Sequence, residues 1–200
     1  NVSYGRSQFF KYVADTKRIR KATMKIHHVV GEKMFVDFSG DKLSYIDQNS
    51  GEVIEGDVLV CSLPYSGLTY AIPVRSQKQE ELILGVCCAL HYIGGVPLSI
   101  VFDNLKSAVK RSSRYEPEFT EAIELLGLHY NTTIMATRPY KPKDKAHVER
   151  SVNITYQRIF APLRDKQFFS LEELKKEVLQ LVNELNNRKL SQGHRSRKEV

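Results

Sequence analysis

Three carboxylates stand where the sequence pattern otherwise places apolar or basic side chains. Asp37 lies in the middle of "MFVDFSG", Asp103 ends the apolar segment "SIVFD", and Glu149 lies within the basic stretch "RPYKPKDKAHVERSV". Burying a lone carboxylate costs several kcal/mol unless the group is paired or bound to a metal ion. Asp37 and Asp103 have no basic residue beside them in the sequence, so both are expected to need a cation.

Carboxylates at the ends of adjacent strands are hard oxygen ligands of the kind that Mg²⁺ prefers. Two such ions, roughly 4 Å apart, activate a water or a 3′-hydroxyl and stabilise the leaving oxygen of an in-line phosphoryl displacement. This chemistry needs no side-chain nucleophile, and the sequence has no nucleophile elbow, phosphate-binding P-loop or paired catalytic cysteine. The pattern therefore predicts metal-dependent phosphoryl transfer.

Each acid also has a purely structural interpretation. Asp37 could belong to a hydrogen-bond network, and Asp103 could begin a turn with the asparagine that follows it. Glu149 could pair with Lys145 or Arg150 on one helix face. The joint placement on a first strand, a later buried strand and a late helix favours the metal site over three separate coincidences.

The basic residues are concentrated at the two ends of the chain. The net charge is +7 overall. Residues 1–25 carry a net +6, from seven Lys or Arg and one Asp, and residues 186–200 carry a net +4, from five Lys or Arg and one Glu. Two basic ends around a near-neutral body indicate arms that bind phosphate backbones, although solubility alone is an equal interpretation.

Composition narrows the class of protein. Apolar residues make up 42% of the 200 residues, which is ample for the core of one medium-sized domain. No apolar run approaches the roughly 18 residues that a membrane span requires, and no secretory signal is visible. Three cysteines without framework spacing indicate free thiols in a reducing compartment. The chain lacks an initiator methionine, so we expect it to be part of a longer protein.

The hydrophobic pattern predicts an α/β fold with a mixed sheet covered by helices. Strands are expected at 33–39, on both sides of a turn at Asn49-Ser50-Gly51, and in "DVLVCSLP", "LTYAIPV", "PLSIVFD" and "LHYNTTIMAT". Helices are expected at 3–17, at 77–92 with a stop at Gly94, at 117–126 with a stop at Gly127, and at 142–160 with a stop at Pro162. A last helix begins at the cap Ser170.

The segments "GEKMFVDFSG", "VFDNLKSAV" and "RPYKPKDKAHVERSV" together resemble the catalytic core of DDE transposases and retroviral-type integrases. Within that superfamily the chain is most similar to the IstA type, the transposase of two-gene bacterial insertion sequences. The resemblance implies a ribonuclease-H-like fold with a mixed five-stranded sheet flanked by helices. It also implies that Asp37, Asp103 and Glu149 form the triad that binds two Mg²⁺ ions, with Mn²⁺ as an alternative.

The resemblance gives the basic residues a role in holding DNA. Candidates beside the triad are Asn104, Lys106, Lys141, Lys143, Lys145 and Arg150, and candidates in the first arm are Lys17, Arg18, Arg20 and Lys21. For any one lysine, a solvated surface charge is the competing interpretation. The implied partners are transposon ends and target DNA, a second copy of the chain and an AAA+ helper ATPase. The expected location is the bacterial cytoplasm, in association with the nucleoid, without membrane contact.

Three regions are expected along the chain. Residues 1–30 form a basic helix and linker at the end of an N-terminal DNA-binding region, residues 31–165 form the catalytic core, and residues 166–200 form a C-terminal helix with a basic tail. Two other functions remain open from the sequence: a ribonuclease-H-type nuclease that cuts RNA–DNA hybrids, and a non-catalytic DNA-binding or assembly module on the same fold.

Overall fold

A computed structural model describes residues 5–20, 28–103, 107–111, 118–137, 153–190 and 195–200, without the side chains of residues 16–20 and 109–111. Within these ranges, no helix is long and apolar enough to cross a membrane.

Six strands form a mixed sheet. They are β1 (Lys33–Phe38), β2 (Leu43–Ile46), β3 (Val53–Ser62), β4 (Thr69–Val74), β5 (Ser99–Phe102) and, after a small hairpin, β8 (Thr133–Ala136). The order is β2-β3-β1-β5-β8, and β4 pairs with β3. β1, β5 and β8 are parallel to one another, whereas β3 is antiparallel to β1, β2 and β4. The hairpin consists of β6 (Val109–Arg111) and β7 (Glu118–Phe119).

Helices follow and flank the strands. They are α1 (Arg6–Arg20), α2 (Gln79–Ile93), α3 (Glu121–Tyr130), a helical segment α4 over 153–163, and α5 (Leu171–Asn187). Most of the buried apolar side chains of α2, α3, α4 and α5 belong to one core cluster with Met34, Val36 and Phe38 of β1. On the opposite face of β1, Phe35 packs with Val101 and Met135 in a smaller cluster. The predicted mixed sheet covered by helices is confirmed.

Several predicted boundaries are confirmed because they depend on neighbouring residues. α2 ends at Gly94, which adopts the left-handed conformation with φ 76° that glycine accepts without steric cost. At the start of α5, the Ser170 Oγ accepts a hydrogen bond from the N–H of Glu173 at 3.0 Å. All four residues of β5 are buried, as expected of a strand covered on both faces.

Two strands that the sequence predicts as separate form one continuous strand in the structure. The second arm of the hairpin and the segment "DVLVCS" form the single strand β3. Its first half pairs with β2 and its second half with β1, while β4 runs along the second half on the other side. The long strand thereby joins the hairpin to the central sheet.

The prediction that a helix stops at Gly127 is wrong. α3 begins later than expected, after β7, and continues to Tyr130 before Asn131 ends it with φ 50°. Gly127 lies inside the helix, and glycine suits the position because an added Cβ would come within 2.8 Å of Cγ1 of Ile134 in β8. His129 and Tyr130, expected in a strand, are therefore helical.

The prediction that Pro162 ends a helix is also wrong. Residues 156–160 form a π-helical turn, and an α-helical turn, Ala161–Leu163, follows with the proline in its first positions. Proline is tolerated there because the N–H of a first-turn residue has no partner within the helix. The first part of that predicted helix, 142–152, lies outside the described residues.

α1 begins slightly later than the predicted 3–17, and its two phenylalanines, whose ring centroids are 5.9 Å apart, are largely exposed. Phe9 and Phe10 are 59% and 58% exposed, and Val13 is half-buried.

Candidate active site

Two of the predicted acids lie side by side at one edge of the sheet. Val36 of β1 is paired with Phe102 of β5, and the N–H of Asp103 donates to the carbonyl of Val36 at 3.2 Å. The next register positions are therefore Asp37 and Asp103. Neighbouring strands are about 4.8 Å apart, so the two carboxylates emerge close together.

The register also fixes the face on which these side chains lie. Phe35, Val101 and Met135 form a row across β1, β5 and β8. Side chains two residues apart along a strand lie on the same face. Two residues further on, at the carboxyl ends of the strands, the next row on this face consists of Asp37, Asp103 and Thr137. An apolar row is thus followed by a polar one. Ligands of parallel sheets bind outside the carboxyl ends of the strands, so this edge is the candidate site.

Each carboxylate is held by a hydrogen bond. Oδ1 of Asp37 accepts from the N–H of Phe38 at 2.8 Å. Oδ1 of Asp103 accepts from the hydroxyl of Thr137 at 2.5 Å. Both acids are half-buried, and no salt bridge joins Asp103 to any Lys or Arg that the structure describes. The sequence places no basic residue beside Asp103, and the described residues add no ion pair to it.

Thr137 is a site residue that the sequence analysis missed. It follows β8 directly, and its N–H continues the parallel ladder by donating to the carbonyl of Phe102 at 2.9 Å. The available signal was the threonine at the carboxyl end of the last parallel strand, the same place that Asp103 occupies after β5.

Among the predicted site residues, the described geometry covers Asp37 and Asp103. Lys17, Arg18 and Arg20 lie in α1, where only the backbone is described. The rest lie outside the described residues: Lys21, Asn104, Lys106, Lys141, Lys143, Lys145, Glu149 and Arg150.

The donor set suits a hard divalent cation. Mg²⁺ is bound through one or two carboxylates, with substrate phosphates and water completing its octahedral coordination, and two adjacent aspartates match that requirement. Within the described ranges, no three His, Cys, Asp or Glu side chains form a metal-binding group. Among the described residues, Asp37 and Asp103 could supply two ligands to such a cation.

A groove of about 230 Å³ lies between the turn after β1 and α4. Its cationic lining is Lys42, Arg164 and Lys166. Lys42 is ion-paired with Glu55 at 3.4 Å and Lys166 with Glu177, while Arg164 donates to the hydroxyl of Tyr156 at 2.9 Å. Two of these three cations are thus already partly neutralised within the protein.

Curated relatives are similar in sequence to this chain over almost its whole length. It is 36% identical over 197 residues to the putative transposase for insertion sequence IS408 of Burkholderia multivorans, covering 98% of this chain and 38% of that protein. It is also 36% identical over 197 residues, with the same coverage, to a putative transposase of Sinorhizobium fredii. The chain thus spans less than two-fifths of the length of these relatives. No protein-family model matches it.

A solved structure shares the fold. The catalytic core domain of HTLV-2 integrase, determined in complex with magnesium, superposes with a TM-score of 0.58 and 14% sequence identity, covering 86% of this chain and 97% of that domain. At this identity the likeness concerns the fold alone, and it confirms the predicted ribonuclease-H-like architecture of integrase cores.

Proposed function

We propose that this chain, which belongs to the insertion-sequence transposases, is their catalytic core and carries out Mg²⁺-dependent cleavage of DNA ends followed by strand transfer. The observation that carries the proposal is the pair Asp37 and Asp103, adjacent in register at the carboxyl edge of parallel strands. The row before them on the same face is apolar, Phe35 and Val101, and two half-buried neighbouring acids in such a setting call for a cation.

In this proposal Asp37 and Asp103 hold the metal, and Glu149 completes the triad. Two Mg²⁺ ions, when bound, would supply Lewis acidity for activating a water or 3′-hydroxyl and for stabilising the leaving oxygen. The carboxylates contribute negative charge and fixed oxygen ligands, and the rigid ladder of β1 and β5 holds them in place. The chain contributes no covalent nucleophile, so DNA would be cut and joined by direct displacement at phosphorus.

The basic residues are proposed to bind DNA. Lys141, Lys143, Lys145 and Arg150 surround Glu149 in the sequence, and Asn104 and Lys106 follow Asp103. Lys17, Arg18, Arg20 and Lys21 belong to the first basic arm. Cationic side chains at these positions would contact phosphates.

The remaining parts of the proposal concern the assembly. DNA ends would be paired by a homo-oligomer, with an AAA+ ATPase assisting target selection, in the bacterial cytoplasm at the nucleoid. The proposed division of the chain is a DNA-binding end over 1–30, a core over 31–165 and a C-terminal helix and tail over 166–200.

The proposal is tested by incubating the protein with a labelled duplex that carries the ends flanking its own gene, a supercoiled plasmid and increasing Mg²⁺. We expect metal-dependent nicking and a joined product. Asp37→Asn, Asp103→Asn and Glu149→Gln should abolish both without lowering the melting temperature, because each removes charge and little volume. Asp165→Asn, at an exposed turn, is the matched control and should behave as the parent.

The outcomes separate the competing functions. A folded Asp37→Asn variant with parental Mg²⁺-dependent cleavage would refute the triad. Cleavage of RNA–DNA hybrids without joining would assign the protein to the nucleases. DNA binding with no response to Mg²⁺ would assign it to the non-catalytic modules.

A further inference from the structure

Thr137 is placed to control the orientation of one proposed metal ligand. Its hydroxyl lies 2.5 Å from Oδ1 of Asp103, and its backbone is fixed to β5 by the bond from its N–H to the carbonyl of Phe102. We propose that Thr137 is a positioning residue, whose hydroxyl holds the Asp103 carboxylate in the orientation that binds a divalent cation. This inference rests on the proposed function.

The direction of the hydrogen bond follows from the two groups. An ionised carboxylate only accepts hydrogen bonds, whereas a threonine hydroxyl has one proton to donate. The proton of Thr137 is therefore directed at Asp103. Hydrogen bonds to an ionised acceptor are short, about 2.5–2.7 Å between oxygens, and about twice as strong as neutral ones. The observed distance belongs to that class.

The hydroxyl of Thr137 can act as a fixed support because both the side chain and the main chain of this residue are restricted. Threonine is branched at Cβ and restricted at χ1, and its main chain continues the parallel ladder next to β5. With Oδ1 of Asp103 occupied by Thr137, the described residues donate no hydrogen bond to Oδ2 of Asp103. The carboxylate is thus oriented by one oxygen, and the other is left for a ligand.

The neighbouring acid is held in a comparable way. Oδ1 of Asp37 accepts from the N–H of Phe38 at 2.8 Å. In Asp37 the donor is the backbone of the next residue, but in Asp103 it is a side chain on another strand. The backbone donor to Asp37 cannot be removed by a side-chain substitution, whereas the hydroxyl of Thr137 that supports Asp103 can.

A simple bridge between β5 and β8 is the competing explanation. It would affect the free energy of unfolding and leave metal affinity unchanged. A positioning role predicts instead that metal affinity changes more than the free energy of unfolding. Removing a group that orients a metal ligand typically lowers metal affinity or activity about 10–100-fold. Metal affinity is therefore the decisive measurement.

The experiment measures Mn²⁺ binding to the 200-residue chain by isothermal titration calorimetry, together with the melting temperature without metal. Thr137→Val replaces the hydroxyl by a methyl group of nearly equal size and should weaken Mn²⁺ binding about 10–100-fold. Thr137→Ser keeps the hydroxyl and should stay within about threefold of the parent. Thr133→Val is the matched control, since Thr133 lies on the same strand, exposed, at the opposite end, and should change nothing.

Each outcome has a defined meaning. Parental Mn²⁺ affinity in Thr137→Val, or an equal reduction in Thr137→Ser, would overturn the proposal. If the valine variant does not fold, Thr137→Ala lacks the same hydroxyl, fills less space and gives the same comparison. Asp103→Asn distinguishes failure of the role given to Thr137 from failure of the proposed metal site. Loss of binding in Asp103→Asn but not in Thr137→Val refutes only the role of Thr137, whereas parental binding in Asp103→Asn refutes the metal site itself.

Discussion

The side chain of Asn186 in α5 forms two hydrogen bonds with the backbone of Thr69 in β4. Its Oδ1 accepts from the N–H of Thr69 at 3.1 Å, and its Nδ2 donates to the carbonyl of Thr69 at 2.7 Å. Nδ2 also donates to the hydroxyl of Tyr92 at 3.0 Å. Asn186 is fully buried. The amide thus satisfies backbone groups of the outer strand β4, which would otherwise be left without partners, and ties the C-terminal helix to the sheet.

Asn186→Ala should destabilise the protein by about 2–4 kcal/mol, because it leaves buried backbone groups of Thr69 without partners and opens a cavity. The free energy of unfolding in urea is the measurement. Asn187→Ala, at the next and exposed position, should stay within about 0.5 kcal/mol of the parent. Equal effects of the two substitutions would contradict the role given to Asn186.

Replacing Lys17, Arg18, Arg20 and Lys21 with glutamine should weaken DNA binding and flatten its salt dependence. The log–log slope should fall by about 0.9 for every phosphate that the variant no longer neutralises, because fewer counterions are released on binding. Fluorescence anisotropy across a series of salt concentrations measures the slope. The matched control removes four surface cations elsewhere, Arg75, Lys78, Lys175 and Lys176, and should leave the slope unchanged. An unchanged slope in the arm variant would show that these residues do not bind DNA.

Lys145→Ala should reduce DNA cleavage and joining while the protein melts at the parental temperature. Lys145 and Glu149 are four residues apart in a predicted helix, and an exposed pair of this kind contributes only about 0.3–0.5 kcal/mol. A phosphate clamp matters more, since a misplacement of about 1 Å at the scissile bond can cost on the order of 100-fold in rate. Lys176→Ala, at an exposed helix position, serves as the control. If activity and melting temperature fall together, or if neither changes, Lys145 is an ordinary surface residue.

The protein should lose stability as the pH rises above about 8.5, where an ordinary thiol ionises. Burial raises the pKa of Cys61 in β3 far above its usual value. Above about pH 8.5 the unfolded thiol releases its proton while the folded one keeps it, so each pH unit favours unfolding by about 1.4 kcal/mol. Urea unfolding between about pH 8 and 10 measures this effect.

Cys61→Ala is the control for that prediction. It should be less stable near neutral pH, because it leaves a cavity, but its stability should decline less steeply above about pH 8.5. Tyr70 adds to the decline at still higher pH in both proteins, because burial raises its pKa as well. The same steepness in parent and variant would rule out Cys61 as the source.

Much of the fold follows from short-range rules that can be read along the chain. Gly94 ends α2 because glycine accepts the left-handed conformation, Ser170 caps α5 because its hydroxyl reaches a free N–H three residues on, and β5 is apolar throughout because both of its faces are covered. The same rules identified Asp37 and Asp103, since an acid in an apolar strand is unusual whatever the strand packs against.

The tertiary structure decided what depends on segments far apart in sequence. Gly127 lies inside α3, where Ile134 of β8 leaves no room for a Cβ, and Pro162 follows a π-helical turn within α4. Above all, the parallel register sets Asp103 beside Asp37 and Thr137 beside Asp103. The sequence by itself determined which residues are acidic and that the segments carrying Asp37 and Asp103 are strands or strand ends. Their meeting at one edge was decided only by the pairing of strands, since hydrogen bonds between β1, β5 and β8 join residues that no local pattern connects.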